Sequence, residues 1–174
     1  MGFVNAHFVA YTTDLGATAV QGAYALATVG AAGIAGGFGF GFMADKYGRR
    51  PLLVVAYAFR GLGYGVLLLA NGLPMAVLGV VIIGSSWTSV ISLTGTVTSD
   101  EFGLRRLGTI YGTMFTVMPF GASSAVWLAG RLYDTNGNYD AAMWISLGMG
   151  LLAATAVAMP STGIAKRIWP QFSS

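Results

Sequence analysis

The sequence predicts an all-α membrane protein, and three observations carry that prediction. First, of 174 residues 55% are hydrophobic and 9% are charged, against roughly 25% charged in an ordinary soluble domain. A soluble fold of this size cannot hide so much apolar surface behind so few charges; lipid can. Second, the apolar residues run in uninterrupted stretches long enough to cross a bilayer, for which about 20 residues suffice. Third, the basic residues gather in alternate turns between those stretches, the pattern that topology imposes on spanning helices.

The same composition excludes other classes. With no cysteine, the chain builds no disulfide framework, thiolate zinc site or thiol nucleophile. The net charge of +3 reports membrane topology and no nucleic-acid partner, because the cations sit in short turns. No metal-ligand cluster or cofactor motif appears.

Taken in order, residues 1–13 are mildly apolar but lack the basic start and cleavage site of a signal peptide. They are too short to span and read as the outer remainder of a helix whose beginning is missing, so the chain is expected to be a fragment. Five full spans follow at about 17–43, 51–70, 74–98, 107–130 and 141–163, all in one transmembrane domain over 1–174. Four of the five contain no charged side chain, and 51–70 contains only Arg60. In hydrocarbon every backbone N–H and C=O must be paired within the chain, which makes these stretches helices.

The connections are short. Pro51 and Pro74 suit first-turn positions, Asn71-Gly-Leu-Pro74 is a turn, and residues 134–140 form a polar turn cluster. Gly33, Gly37 and Gly41 are spaced by four, as are Gly61 and Gly65, and Gly108 and Gly112; small residues at that spacing let helix backbones approach closely. Lys46, Arg49, Arg50, Arg105, Arg106, Lys166 and Arg167, seven of nine basic residues, fall on one side. The positive-inside rule makes that side cytoplasmic, placing 44–50, 99–106 and 164–174 inside a multi-pass protein of the cell (inner) membrane.

The first of these loops reads Gly41-Phe-Met-Ala-Asp45-Lys46-Tyr-Gly48-Arg49-Arg50. Gly41 is expected to let the helix end approach a neighbour, Gly48 to permit the reversal, and Asp45 to end its helix near basic groups and backbone donors. A generic basic loop would explain the two arginines but not the carboxylate and two glycines at fixed offsets. The decapeptide resembles the loop signature of the major facilitator superfamily. Tyr11-Thr-Thr-Asp14-Leu-Gly16, Leu107-Gly108-Thr-Ile-Tyr-Gly112 and Ala129-Gly130-Arg131-Leu-Tyr-Asp134 resemble, in order, the end of helix seven and the two ends of helix eleven in its monocarboxylate-porter-like branch.

That resemblance implies a six-helix half-bundle with its first helix truncated: the C-terminal half, from the end of helix seven to helix twelve. It implies a secondary active transporter of a small organic solute, working by alternating access against a missing N-terminal half in the lipid bilayer. The implied cavity walls carry polar stripes at helical spacing: Gln21, Tyr24 and Thr28; Ser85, Ser89, Ser92 and Thr96; Thr109, Thr113 and Thr116, with Tyr111, Phe115 and Met118 as an aromatic wall. They suggest a mostly neutral cavity that hydrogen-bonds its solute; the competing reading is that these hydroxyls satisfy their own backbone or glue helices together. Carboxylate carriers of this branch often show a Gly-Arg pair where this chain has Gly36-Gly37, which removes a cation for an anionic solute.

Arg60 is the one intramembrane charge and is costly there, by about 2.5–3.5 kcal/mol on insertion scales. It lies on a helix the resemblance makes peripheral, and snorkelling or pairing with Asp45 or Glu101 is the expected resolution. His7 is a candidate proton relay or an interfacial polar group. A coupling proton stays open as a partner, although no carboxylate lies within a span. Two rival classes are a membrane enzyme, opposed by the absence of clustered buried acids and ligands, and a non-transporting membrane module or truncated gene product.

Overall fold

A computed structural model describes residues 2–159. The described residues form six helices and no strand: α1 Gly2–Asp14, α2 Ala19–Tyr47, α3 Arg49–Leu68, α4 Leu73–Phe102, α5 Leu104–Asn136 and α6 Asp140–Ala158. Four of them, α2, α3, α4 and α6, are long and apolar enough to cross a membrane. α1 has only 13 residues. α5 contains the expected 107–130 span and has 33 residues, but its Thr, Ser and Gly content keeps it below the hydropathy of the other four. The final expected span, 141–163, and the 164–174 tail run beyond the described residues, so Lys166 and Arg167 lie outside them.

Local chemistry sets the helix ends. Thr18 and Gln21 form a capping box: the Gln21 backbone N–H donates to Thr18 Oγ1 at 3.2 Å, and the Thr18 N–H donates to Gln21 Oε1 at 2.9 Å, which satisfies two orphan donors at the start of α2. α2 and α3 meet at Gly48, whose φ of +94° is a conformation that a Cβ disfavours; the predicted reversal is there. Gly72 precedes α4, with Pro74 in its first turn, where a missing N–H costs nothing.

The helices overshoot the apolar stretches. α2 is 29 residues long, about 43 Å at 1.5 Å per residue, against a hydrocarbon core of about 30 Å. Its last turn therefore carries Asp45 and Lys46 in the polar zone.

α4 is the central helix, packed between α2 and α3, while α3 also carries α6. Glycines make these crossings. A Cβ on Gly36 would lie 1.9 Å from the Ser85 carbonyl oxygen, and one on Gly84 2.8 Å from that of Val29, so α2 and α4 touch backbone to backbone. On the other side of α4, Gly63 and Gly79 face each other, and Gly61 meets Gly150 of α6. The expected four-residue stripe is thus used selectively. Gly33 and Gly61 are in close contacts, whereas Gly41, Gly108 and Gly112 have nothing within 4 Å of a would-be Cβ. Among the described residues Gly41 does not provide the close approach assigned to it, because the α2–α4 contact runs through Gly33 and Gly36, spaced by three.

Two apolar clusters complete the core. One, toward the Asp14 end, gathers Phe3, Phe8, Tyr11, Tyr64, Leu67, Ile83 and Met143; the other, toward the Lys46 end, gathers Ala44, Leu52, Leu53, Ala56, Val90 and Leu93. α5 stands apart: Ala129 is the one buried residue among its described positions.

Candidate functional site

The basic end of the bundle is tied together by the loop arginines. Arg49 donates to both oxygens of Asp100, at 2.7 and 3.0 Å, and Arg50 donates to Glu101 at 3.2 Å. Arg50 also reaches across to α6, donating from Nε to the Val157 carbonyl at 3.0 Å and from Nη2 to that of Met159. One loop thereby binds the ends of α3, α4 and α6, and residues 44–50 and 99–106 share one end of the molecule. These pairs are solvent-accessible, with side chains 28–50% exposed, so each contributes on the order of 0–1 kcal/mol; their value is in register. Asp45 is exposed and makes no ion pair among the described residues. Lys46, in the last turn of α2, suits that helix's negative pole. The acidic partners Asp100 and Glu101 were not singled out from sequence as partners of Arg49 and Arg50; their signal was an acidic pair ending a span on the same side.

The polar stripes divide into two groups. Ser85, Thr28 and Thr96 donate to carbonyls one turn back within their own helices, at 2.8, 2.6 and 3.0 Å, as Thr113 and Thr116 do. Ser89 is 2% exposed and donates to Gly36 O at 3.1 Å, so it links α2 to α4. Gln21 sits in the opening turn of α2, its amide oxygen engaged in the cap. One turn further along the same face, Tyr24 is 74% exposed. Ser92 is exposed as well. Tyr111 donates to the Ile91 carbonyl at 2.7 Å, pinning α5 to α4, and its ring lies 4.6 Å from that of Phe115, itself 38% exposed. A recess of about 80 Å³ between α1, α3, α5 and α6, lined by Phe3, Tyr64, Ala129 and Ser146, is small beside the few hundred Å³ that organic ligands occupy.

Arg60 is resolved differently from the sequence expectation. Its guanidinium lies 5.1 Å from the Trp87 ring and 5.8 Å from the Tyr57 ring, with a long 3.5 Å contact to the Ser86 carbonyl. Nε is buried without a hydrogen-bond partner. Neither Asp45 nor Glu101 meets it; two aromatic faces replace them, an arrangement that gains strength where water is excluded. The long side chain therefore packs between α3 and α4 instead of climbing to the surface.

The end opposite the loop arginines is aromatic and acidic. Phe3, His7, Tyr11, Tyr64, Tyr133 and Tyr139 form a connected cluster, with Tyr133 and Tyr139 stacked at 4.4 Å. Tyr11 donates to the Leu67 carbonyl at 2.6 Å and so caps the end of α3. A hydrogen bond to Asp14, and that carboxylate's charge, push the Tyr133 phenol above its ordinary value. Burial first, then the negative field of its neighbours, does the same for Tyr139.

Comparison with known proteins agrees with this architecture. The family model described as Major Facilitator Superfamily matches residues 1–166. Human "Monocarboxylate transporter 12" is 28% identical over 142 residues, covering 78% of this chain and 27% of the relative. "MFS-type efflux transporter ffsH" of Aspergillus flavipes is 29% identical over 111 residues, covering 64% of this chain and 20% of the relative. The chain therefore spans about a quarter of the length of the curated relatives it matches. No solved structure matches it significantly. Apolar spanning helices, the loop signature at Gly41 to Arg50 and these relatives converge: the chain belongs to the major facilitator superfamily, a family of membrane transporters and not of enzymes.

Proposed function

We propose that this chain is the C-terminal half of a secondary active transporter that moves a small organic solute by alternating access. The observation that carries the reading is the one-sided wall. α5, with Ala129 its one buried residue, the exposed face of α2 and Ser92 of α4 present Tyr24, Ser92, Phe115 and α5 hydroxyls without a covering element among the described residues. A second six-helix half opposite this face would close a cavity lined by Gln21, Tyr24, Thr28, Ser92, Tyr111 and Phe115. Ser85 and Ser89 would back that wall by holding α4 in place against α2. Rocking of two such halves about a central site is the physical basis of alternating access.

The basic end, with Lys46, Arg49, Arg50, Arg105 and Arg106, lies in the cytoplasm on this reading. The Arg49–Asp100 and Arg50–Glu101 pairs then lock the cytoplasmic mouth in one end state, and their opening accompanies the other. The wall carries no cation, since Gly36 and Gly37 stand where carboxylate carriers of the branch often have a Gly-Arg pair; a neutral polar solute fits it better than an anion. The relatives' names, one a monocarboxylate transporter and one an efflux transporter, supply the two solute screens to run. Replacing Gln21, Tyr24 and Ser92 together by Ala, Phe and Ala is expected to lower solute uptake at least tenfold while leaving membrane insertion intact. Unchanged uptake in that triple variant sinks the cavity assignment.

A further inference from the structure

Arg60 lies near the middle of α3, about 16 Å from its basic end at 1.5 Å per residue, where a bilayer about 30 Å thick is deepest. All six acidic residues of the chain, Asp14, Asp45, Asp100, Glu101, Asp134 and Asp140, stand in the first or last turns of their helices. None reaches that depth. The donors of Arg60 are also largely unspent. The Trp87 and Tyr57 ring faces attract the charge, but the five N–H groups of a guanidinium lie in its plane and seek oxygen acceptors. Nη2 makes a long contact of 3.5 Å to the Ser86 carbonyl, and Nε is buried with no partner.

The side chain belongs to the inner face of α3. Val55, Phe59 and Leu62 are 41–55% exposed and mark the outer face. Arg60 is one turn from the buried Ala56 on one side and from the buried Tyr64 on the other, along a single face. That face meets α1. The Tyr64 ring lies 6.2 Å from that of Phe3, and Tyr11 donates to the Leu67 carbonyl, so α1 and α3 run in the same direction toward the acidic end.

The first turn of α1 is at mid-depth as well. A Cβ on Gly2 would lie 2.9 Å from the Ala122 carbonyl oxygen, near the middle of α5. A helix leaves its first N–H groups without intrahelical acceptors, and in hydrocarbon they need acceptors from protein; no described side chain caps them. With 13 residues, α1 is also about seven short of a span. A helical segment that continues α1 toward the basic end meets both needs. One turn before Phe3 it comes level with Arg60, which is itself one turn before Tyr64.

We propose that Arg60 is one half of an intramembrane ion pair, whose carboxylate stands on that continuing segment about one turn before Phe3. A carboxylate offers two oxygens to the paired N–H groups of a guanidinium and neutralises a charge that hydrocarbon penalises. Depth argues against a lipid phosphate as the occupant, because the headgroups begin about 15 Å away. The pair fastens the helix that carries α1 to the α3–α4 pair, so that these three move as one body when the halves rock.

The inference rests on the proposed reading in one respect, that protein continues before α1. Its geometry is testable on this chain. The 174-residue chain is extended before Met1 by a Leu-Ala host helix of about eight residues, with Asp or Leu four positions before Phe3, or with Asp moved two positions onto the opposite face. Unfolding in bicelles by added SDS is followed by circular dichroism. The Asp form is expected to fold more favourably than the Leu form by roughly tenfold in the equilibrium constant. The moved Asp should give no gain, Arg60→Met should abolish it, and Arg60→Lys should keep part of it.

An Asp form no more stable than the Leu form, an Asp form that fails to insert, or a gain that survives Arg60→Met overturns the inference. So does stabilisation of the unextended chain by acetate at constant ionic strength that Arg60→Met removes, since a free carboxylate would then be the occupant. In the longer protein, Arg60→Asp is expected to abolish folding and Lys at the partner carboxylate to restore it; a native segment with no carboxylate within one turn of that position refutes the pairing. Uptake that needs the companion half and is unchanged in Arg60→Met refutes the pairing alone. An Arg60-dependent pairing in a protein that takes up no solute refutes the transport reading alone.

Discussion

Gly36→Ala tests the packing that places the wall. The new Cβ would lie 1.9 Å from Ser85 O, 2.5 Å from its carbonyl carbon and 2.6 Å from its Cα. All three are backbone atoms of α4, so no rotamer change relieves the clash. Bringing the closest pair to 3.0 Å requires about 1.1 Å of separation between the helices, since 3.0 − 1.9 = 1.1. The same movement lengthens the Ser89–Gly36 hydrogen bond from 3.1 Å to about 4 Å, beyond bonding distance. Overpacking of this kind costs about 1–3 kcal/mol, and an interhelical hydrogen bond in a membrane adds about 0.6. The expected destabilisation is about 2–4 kcal/mol. Unfolding in bicelles by added SDS, followed by circular dichroism, measures it, with Gly39→Ala as the reference because nothing lies within 4 Å of that position. The reference is expected to stay within about 0.5 kcal/mol of wild type, and it absorbs the change in helix propensity. Equal stability of the two variants would refute backbone contact between α2 and α4 at Gly36.

Three further outcomes follow from the same geometry. Gly48→Ala forces a side chain into φ +94°, ψ 148°, so a loss of about 1–3 kcal/mol in the same unfolding assay is expected, with the α2–α3 reversal loosened. Asp14→Asn removes the carboxylate charge that holds the Tyr133 phenol above its ordinary value, and ¹³C NMR of labelled tyrosine should show it titrating at lower pH. The raised value means that this stabilising contribution is complete below the ordinary tyrosine range near 10 and is lost as pH rises through the folded value, a loss the variant should not show. Gly37→Arg puts a cation beside α4, its Cβ in ordinary contact with Thr88 Cγ2 at 3.4 Å; reconstituted with a companion half, it should raise carboxylate uptake over neutral-solute uptake, and an unchanged ratio would contradict the reading of a neutral wall.

Hydropathy located the long apolar helices because bilayer thickness constrains length directly, and it missed their ends for the same reason. Lipid exerts no constraint on the turns that hold Asp45, Arg49, Asp100 or Arg131, which continue as helix into the polar zone. Gly48 was legible because a positive φ leaves few alternatives to glycine. The small-residue contact was legible in kind but not in register: spacing by four selected Gly33, Gly37 and Gly41, whereas tertiary docking uses Gly33 and Gly36. Periodicity put Ser85 and Ser89 on a common face, yet it could not tell whether a hydroxyl faces a cavity, its own backbone or a neighbour. For Ser89 the answer depends on Gly36, distant in sequence. Arg60 misled for a related reason: charge alone suggests a carboxylate partner, while Trp87 and Tyr57 offer ring faces that no charge count reveals. The weak seating of α5 was invisible, because burial depends on which other helices are present.

On the proposed reading this chain supplies one wall of a solute carrier. Uptake into proteoliposomes, with the chain alone and with a companion six-helix half co-reconstituted, tests it most directly across neutral and carboxylate solutes. Saturable uptake is expected only when both halves are present, and it identifies the solute class. Absence of uptake in both preparations, with the chain stably inserted and helical, would contradict it and leave a membrane module that does not transport.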